Sequence, residues 1–350
     1  MTVLDSCLHR IRASQLCEKS GLNWQKSLAN AITDPARLLQ LLDLPRELLP
    51  GARQADDLFG LKVTHSYLQR IHKSDPKDPL LLQILPQLLE TQPQPENYCS
   101  DPVGDETAML TPGVIHKYHG RVLLITTGAC AIHCRYCFRR EFPYAKAHAG
   151  RNQWQAAVDY ILANNSIQEV ILSGGDPLLL SDQKLSDLCQ RLETIPHLRR
   201  LRIHTRLPVV LPERINETLL QWMTGTRLQT VMVIHSNHPN EINEEVAAAL
   251  YRLHSAGIPM FNQAVLLKHI NDTADIQIAL NQLLFKQNVV PYYLHILDPV
   301  RGAAHFAVSV EKARQIYDRL TESLPGYLLP KLAIEQQGMP AKTLLAPFQE

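Results

Sequence analysis

Residues 121–140 read RVLLITTGACAIHCRYCFRR, an apolar run of strand character followed at once by Cys130, Cys134 and Cys137 in a C-x3-C-x2-C loop. Three thiols cannot all pair as disulfides. They are also one ligand short of a closed tetrahedral zinc site, for which His133 sits too tightly inside the loop. Gathered on one short turn, they could instead hold three irons of a [4Fe–4S] cube and leave the fourth iron open to a bidentate ligand. The choice depends on what the preceding strand belongs to.

Working outward, six short apolar runs of strand character recur: RVLLITT, EVILSGG, RLRIHT, QTVMVIH, PMFNQAVLL and VVPYYLHIL. Amphipathic stretches of helical spacing lie between and after them: NQWQAAVDYILANN, SDQKLSDLCQRLETI, PERINETLLQWM, NEEVAAALYRLHSAG, ADIQIALNQLLFKQN and SVEKARQIYDRL. This alternation predicts βαβ units on an all-parallel sheet. Six units suit a curved, partial (β/α)6 barrel better than a closed eightfold one, although a doubly wound sheet has the same periodicity. In either case a ligand site lies at the carboxyl ends of the strands. There the sequence places the cysteine loop, Ser173-Gly-Gly-Asp176, His204-Thr-Arg206, His235-Ser-Asn237-His238, Asn262-Gln263, and His295 with Asp298. A lone histidine at one of these ends reads as a satisfied loop residue, but all six ends are polar.

The chain of 350 residues is 45% hydrophobic with a formal charge of +1. It can bury a large core, and it shows no basic field for nucleic acid and no acidic tail. No apolar run approaches a membrane span and the first residues lack a secretory pattern, so a cytoplasmic protein with a small-molecule task is expected. In that reducing setting the clustered cysteines read as metal or cluster ligands, and Cys7, Cys17, Cys99 and Cys189 as ordinary thiols. Residues 1–95 read as helical: TDPARLLQLLDL starts with Thr33 or Asp34 as cap and Pro35 in the first turn, and DPLLLQILPQLLE is a second run. The proline-rich stretch 96–120 reads as a crossing linker, 121–325 as the barrel, and 326–350 as a separate C-terminal segment.

The cysteine loop, with Tyr136 just before its third cysteine, and SGGDP at the second strand end resemble the radical S-adenosylmethionine enzymes. Within that superfamily CFRR, SGGDPLL, RLPVVLPERI, HSNHPNEI, NQAVLL, PYYLHILDPVRGAAHF and SLPGYLLP are similar to the lysine 2,3-aminomutase family over nearly the whole chain. The resemblance is strongest to the short bacterial branch that supplies (R)-β-lysine for elongation factor P, and the stop soon after Lys342 agrees with that branch. It implies a radical SAM barrel, a [4Fe–4S] cluster, S-adenosylmethionine and pyridoxal 5′-phosphate. The activity it implies is conversion of (S)-α-lysine to (R)-β-lysine, through a 5′-deoxyadenosyl radical and a coenzyme over which the nitrogen can migrate.

Carried over position by position, the resemblance puts Cys130, Cys134 and Cys137 on the cluster, and Gly174 and Gly175 close to the methionyl group. His235 and Gln263 fall on the adenosyl moiety, Arg121 near the coenzyme phosphate, and Lys342 in PAKTLL on the coenzyme itself. Lys331 is the rival lysine. Arg139 falls on the substrate carboxylate, and Asp298 and Glu335 on the far ammonium. Glu335 is one methylene longer than the family's aspartate, and EQQGMPAK keeps only Gly338 of the usual glycine run. Lysine as substrate, a reduced flavodoxin or ferredoxin type electron donor, an indirect link to elongation factor P and its lysyl ligase, and a homo-oligomer are all compatible with it; nucleic acid and membrane are not expected. Two other readings stay open here: an aminomutase for a different amino acid, and a non-catalytic metal-binding module.

Overall fold

The computed structural model describes residues 24–147 and 154–345, so Cys7 and Cys17 lie outside the described residues. Ten strands form one sheet in chain order: β1 (Met109–Thr111), β2 (Val114–Tyr118), β3 (Arg121–Thr127), β4 (Glu169–Gly174), β5 (Arg200–Thr205), β6 (Gln229–Ile234), β7 (Met260–Leu266), β8 (Val289–Ile296), β9 (Lys331–Ile334) and β10 (Thr343–Leu344). The six expected strands are β3 to β8, each pairing in parallel with the next.

Helices α1 (Gln155–Ala163), α2 (Asp182–Glu193), α3 (Glu217–Thr224), α4 (Glu244–Ser255), α5 (Ala274–Lys286) and α6 (Val310–Ser323) follow them in turn. From α2 onward each starts on a Ser, Asn or Thr whose side chain accepts a hydrogen bond from the third helical N–H. Such caps satisfy donors that the helix cannot. All six residues of β4 are buried, as a parallel strand covered on both faces requires. Within the described residues the two edge strands, β1 and β10, do not pair with each other, so the barrel is partial.

Two expectations need correction. The sheet is not all-parallel, because β1, β2 and β3 pair antiparallel at one edge and β10 pairs antiparallel with β9 at the other. The run 96–120 therefore contributes two strands, and the segment after 326 contributes a seventh parallel strand, β9, against β8. The second correction concerns DPLLLQILPQLLE, which is not one helix. Asp78 caps a single α-turn at Pro79–Leu82, and a 3-10 turn at Leu88–Thr91 follows, separated from it by Pro86, whose ring cannot continue a helix. In the first run Asp34, not Thr33, is the cap, accepting from the Ala36 N–H at 3.0 Å. Leu38, Tyr67, Leu80 and Leu81 of this N-terminal part join one hydrophobic core with β3 to β6 and their helices, so it is packed into the barrel.

Candidate active site at the barrel mouth

The cysteine loop leaves β3 at the carboxyl end of the parallel strands, and the N-terminal part grips it through its other residues. Arg135, fully buried, donates to both carboxylate oxygens of Glu90, at 2.9 Å from Nε and 2.7 Å from Nη2, and Arg140 adds a third bond to Glu90 at 2.8 Å. His133 stacks on Phe59 and its Nδ1 lies 2.6 Å from the Gly60 carbonyl. Held this way, the loop can present its sulfurs without relying on a ligand for its shape. Among the described residues no three ligand-type side chains converge as on a single metal ion; thiolates spread over three irons of a cube have no such need, whereas a zinc site does. Burial, with neighbouring Cys137, Asp176 and Cys134, raises the Cys130 thiol, and burial with Cys134 pushes Cys137 up to about 11. Cationic irons would supply the charge that keeps both as thiolates, so the donor set fits the cluster.

The glycines after β4 pack against the chain itself. Gly174 has φ +123°, and a Cβ there would meet the Thr127 carbonyl at 2.5 Å; at Gly175 it would meet the Ala129 carbonyl at 2.2 Å. The close approach that glycine permits is therefore spent on the run into Cys130. Asp176 then ties three elements together: its N–H donates to the Ala129 carbonyl at 2.8 Å, while its carboxylate accepts from the Thr205 hydroxyl and the Arg206 N–H, both at 2.7 Å. Burial holds its carboxyl up, at about 6, against these donors.

Arg206, 5% exposed, sends Nη1 to the Cys134 sulfur at 2.7 Å and Nη2 to Gln83 Oε1 at 2.7 Å and Glu241 Oε2 at 2.9 Å. Its Nε is buried without a partner. Glu241 is fully buried and accepts further bonds from Gln83 Nε2 and from the Asn237 and His238 N–H groups.

At the other rim of the same mouth, charges alternate. Lys342 Nζ is ion-paired with Glu335; Glu335 also accepts from Lys117 at 3.2 Å, and Lys117 contacts Asp105 at 2.5 Å. Asp105 accepts from Arg139 Nε at 2.7 Å, and Arg139 Nη1 donates to the Ser173 hydroxyl at 3.1 Å. Arg139, expected on a substrate carboxylate, thus already has an acid partner, with Nη2 outside these bonds. Glu335 is held down at about 2: burial opposes this, but Lys342 and Lys117 outweigh it.

Asp298 is the contrast. No described residue donates a hydrogen bond to its carboxyl, and burial together with Glu335 raises it to about 7 against Lys342 and Lys117. Lys331 is exposed at the start of β9, where its backbone is in register with Tyr293.

Three histidines face this space as neutral rings. Burial, then Arg206 and Arg139, lowers His235 to about 4; burial, then Lys342, lowers His295 to about 3; and burial, with Arg202 and His235 next, takes His204 well below its usual value. His204 and His235 lie edge to face at 5.9 Å, and each has a buried Nε2 without a partner, so both have a hydrogen bond to give or take. Tyr293, whose ring lies 5.8 Å from Lys342 Nζ, is raised to about 12 by burial and Tyr292, against the fields of Arg121 and Arg202. Arg202 is itself paired with both carboxylate oxygens of Glu169, and Lys342 with Glu335, which leaves Arg121 as the cation near this tyrosine without a described acid partner. Gln263 sits half-buried on β7, in register with Tyr293.

Sequence reasoning did not single out Asp105 and Lys117, because they lie in the stretch read as a linker. Nor did it single out Glu241. For Lys117 the only sequence signal would have been a charged residue within the short strand-like stretch VIHKY, which is common on any surface strand, and Asp105, nine residues before it, had none.

Residues 124–280 match the radical SAM superfamily. The chain is 48% identical to an L-lysine 2,3-aminomutase of Haemophilus influenzae over 93% of this chain and 96% of that protein, and 46% identical to one of Escherichia coli over 92% and 94%. An L-lysine 2,3-aminomutase of Clostridium subterminale is 35% identical over 93% of this chain and 78% of its own length. With the cysteine loop at one rim of a partial barrel and an ion-paired lysine at the other, the chain belongs to the lysine 2,3-aminomutase family of radical SAM enzymes.

Proposed function

We propose that the protein moves the α-amino group of (S)-lysine to the β-carbon, giving (R)-β-lysine. The observation that carries this reading is the free, raised carboxyl of Asp298 at the same mouth as the cysteine loop and Lys342. When bound, the reduced cluster with S-adenosylmethionine supplies hydrogen-atom abstraction, and pyridoxal 5′-phosphate supplies a conjugated system over which nitrogen can migrate.

The chain's own work is binding, orientation and exclusion of water. Cys130, Cys134 and Cys137 would each hold one iron. Lys342 would hold the coenzyme, with Arg121 near its phosphate. His235 and Gln263 would meet the adenosyl group, the buried neutral imidazole offering one unspent hydrogen bond. Arg139 would present the donors not taken by Asp105 and Ser173 to the substrate carboxylate, a task suited to a planar fork. Asp298 would pair with the far ammonium, because a buried ammonium is costly to leave unpaired. Glu335 is already shared by two lysines of the chain, which makes it the lesser partner.

A reduced flavodoxin or ferredoxin type protein would deliver the electron. The product would serve the lysylation of elongation factor P, a reading supported by the likeness to the short bacterial branch alone. Anaerobic incubation of the reconstituted protein with labelled (S)-lysine and chiral analysis of the product tests the central claim. (R)-β-lysine is expected; recovery of unchanged lysine alongside conversion of another amino acid would reject it.

A further inference from the structure

The buried cluster that Arg206, Glu241 and Gln83 form against the Cys134 sulfur has no part in the steps above. A guanidinium that donates at 2.7 Å to a cysteine sulfur, and keeps a second buried N–H without an acceptor, is an unusual neighbour for a ligand thiol. We propose that Arg206 sets the reduction potential of the iron–sulfur cluster through the Cys134 sulfur, with Glu241 as its electrical counterweight. This rests on the reading of the cysteine loop as a cluster site.

The physical argument concerns one added electron. Reduction makes the cluster and its sulfurs more electron-rich, and no bond is made or broken at Arg206. A charge-assisted hydrogen bond to the sulfur favours that state, so it raises the potential. Glu241, at 2.9 Å from the same guanidinium, cancels much of the positive charge and pulls the potential back down. Low dielectric strengthens both effects, since Arg206 is 5% and Glu241 0% exposed. The pair is fixed in place: the Arg206 N–H is held by Asp176, and Glu241 by the backbone of Asn237 and His238. Arg206 is thus a positioning residue that acts on the cluster through its ligand.

The two members should act in opposite directions. In the anaerobically reconstituted full-length protein, the electron-resonance signal of the reduced cluster is followed against potential, with dithionite as reductant. Arg206→Gln should lower the reduced-to-oxidised ratio at the wild-type midpoint by about tenfold or more, a shift of about 59 mV for one electron. Arg206→Lys, which keeps the charge and loses the fork, should recover part of it. Glu241→Gln should raise the ratio. Iron content and melting temperature are read on every variant, because a merely structural role would lower both without opposite signs in potential.

Should Arg206→Gln fail to hold iron, Arg206→Lys and Glu241→Gln decide the matter. A midpoint that falls or stays fixed in Glu241→Gln, or that stays fixed or rises in the Arg206 variants, overturns the proposal. A wild-type protein that takes up no iron overturns the cluster reading itself and this proposal with it.

Discussion

Glu90 and Asp298 are both carboxylates at the barrel mouth, and their surroundings differ. Glu90 receives three guanidinium bonds from Arg135 and Arg140 and a fourth from the Gln87 N–H, so its charge is fully answered inside the protein. Asp298 receives none from the described residues and is pushed towards neutrality instead. Taking charges out of water is repaid only when the partners are complete. Around Glu90 they are complete without any ligand, and the product is a rigid holder for the cysteine loop. At the mouth, the raised Asp298 carboxyl, two orphaned imidazole nitrogens and an arginine with a terminal nitrogen outside its bonds to Asp105 and Ser173 are left to a ligand. The difference separates scaffold from site without appeal to any name.

The sharpest way to break the comparison is at the loop that the scaffold holds. Cys130→Ala, Cys134→Ala and Cys137→Ala should each abolish the oxygen-sensitive iron–sulfur absorbance and all turnover, because each thiolate serves a different iron. Cys189→Ser and Cys99→Ser, one on the buried face of α2 and one on the surface, should leave both intact. Stoichiometric zinc, no iron and retained activity in anaerobically purified protein would sink the cluster assignment.

The next effect should be nearly as large. Borohydride treatment with bound coenzyme, followed by peptide mapping, should label Lys342, and Lys342→Ala should lose both coenzyme retention and turnover, as expected when a covalent anchor is removed. Lys331→Ala should do neither. A label on Lys331 would move the anchor to the start of β9, away from Glu335, and the comparison would have to be redrawn there.

Legibility followed the strength of local periodicity. Strands β3 to β8 and their helices were readable because strands of six to eight residues, rich in apolar side chains, alternate with amphipathic runs, and in β4 burial on both faces leaves the run unbroken. Strands β1, β2, β9 and β10 were not, since two to five residues at a sheet edge carry no period, and prolines around them argued for a linker. The cysteine loop was legible as chemistry. Its holder was not: Arg135 and Glu90 are joined across 45 positions, and Lys117 and Glu335 across 218. Which acid meets which base at that separation is decided by the fold, and charge alone gives no hint of it. The glycines show the limit from the other side, since SGG was readable as a close backbone approach but not as an approach to Thr127 and Ala129.

The smallest of the expected effects is the most discriminating. Asp298→Asn should lower kcat/KM for lysine by about 10- to 150-fold, the cost of about 1.5–3 kcal/mol for a charge-assisted contact, and should spare norleucine, which has no far ammonium. Glu335→Gln should cost less, because Lys117 and Lys342 already share that carboxylate. Burial and Glu335 hold the Asp298 carboxyl at about 7 in the free protein, so kcat/KM for lysine should fall as pH drops below about 7, and Asp298→Asn should flatten that limb. The stability term has the opposite sign. The unfolded carboxyl ionises near ~3.9 while the native one keeps its proton to about 7. The native state therefore binds the extra proton between those values, and its stability declines as pH rises through them. An asparagine, neutral throughout, should melt no earlier than wild type at pH ~8. The competing role, a side-chain cap on the turn after β8, predicts the reverse: early melting with unchanged preference between lysine and norleucine. Melting curves and paired kinetics on the same preparation decide it, and that second pattern would return Asp298 to the scaffold beside Glu90.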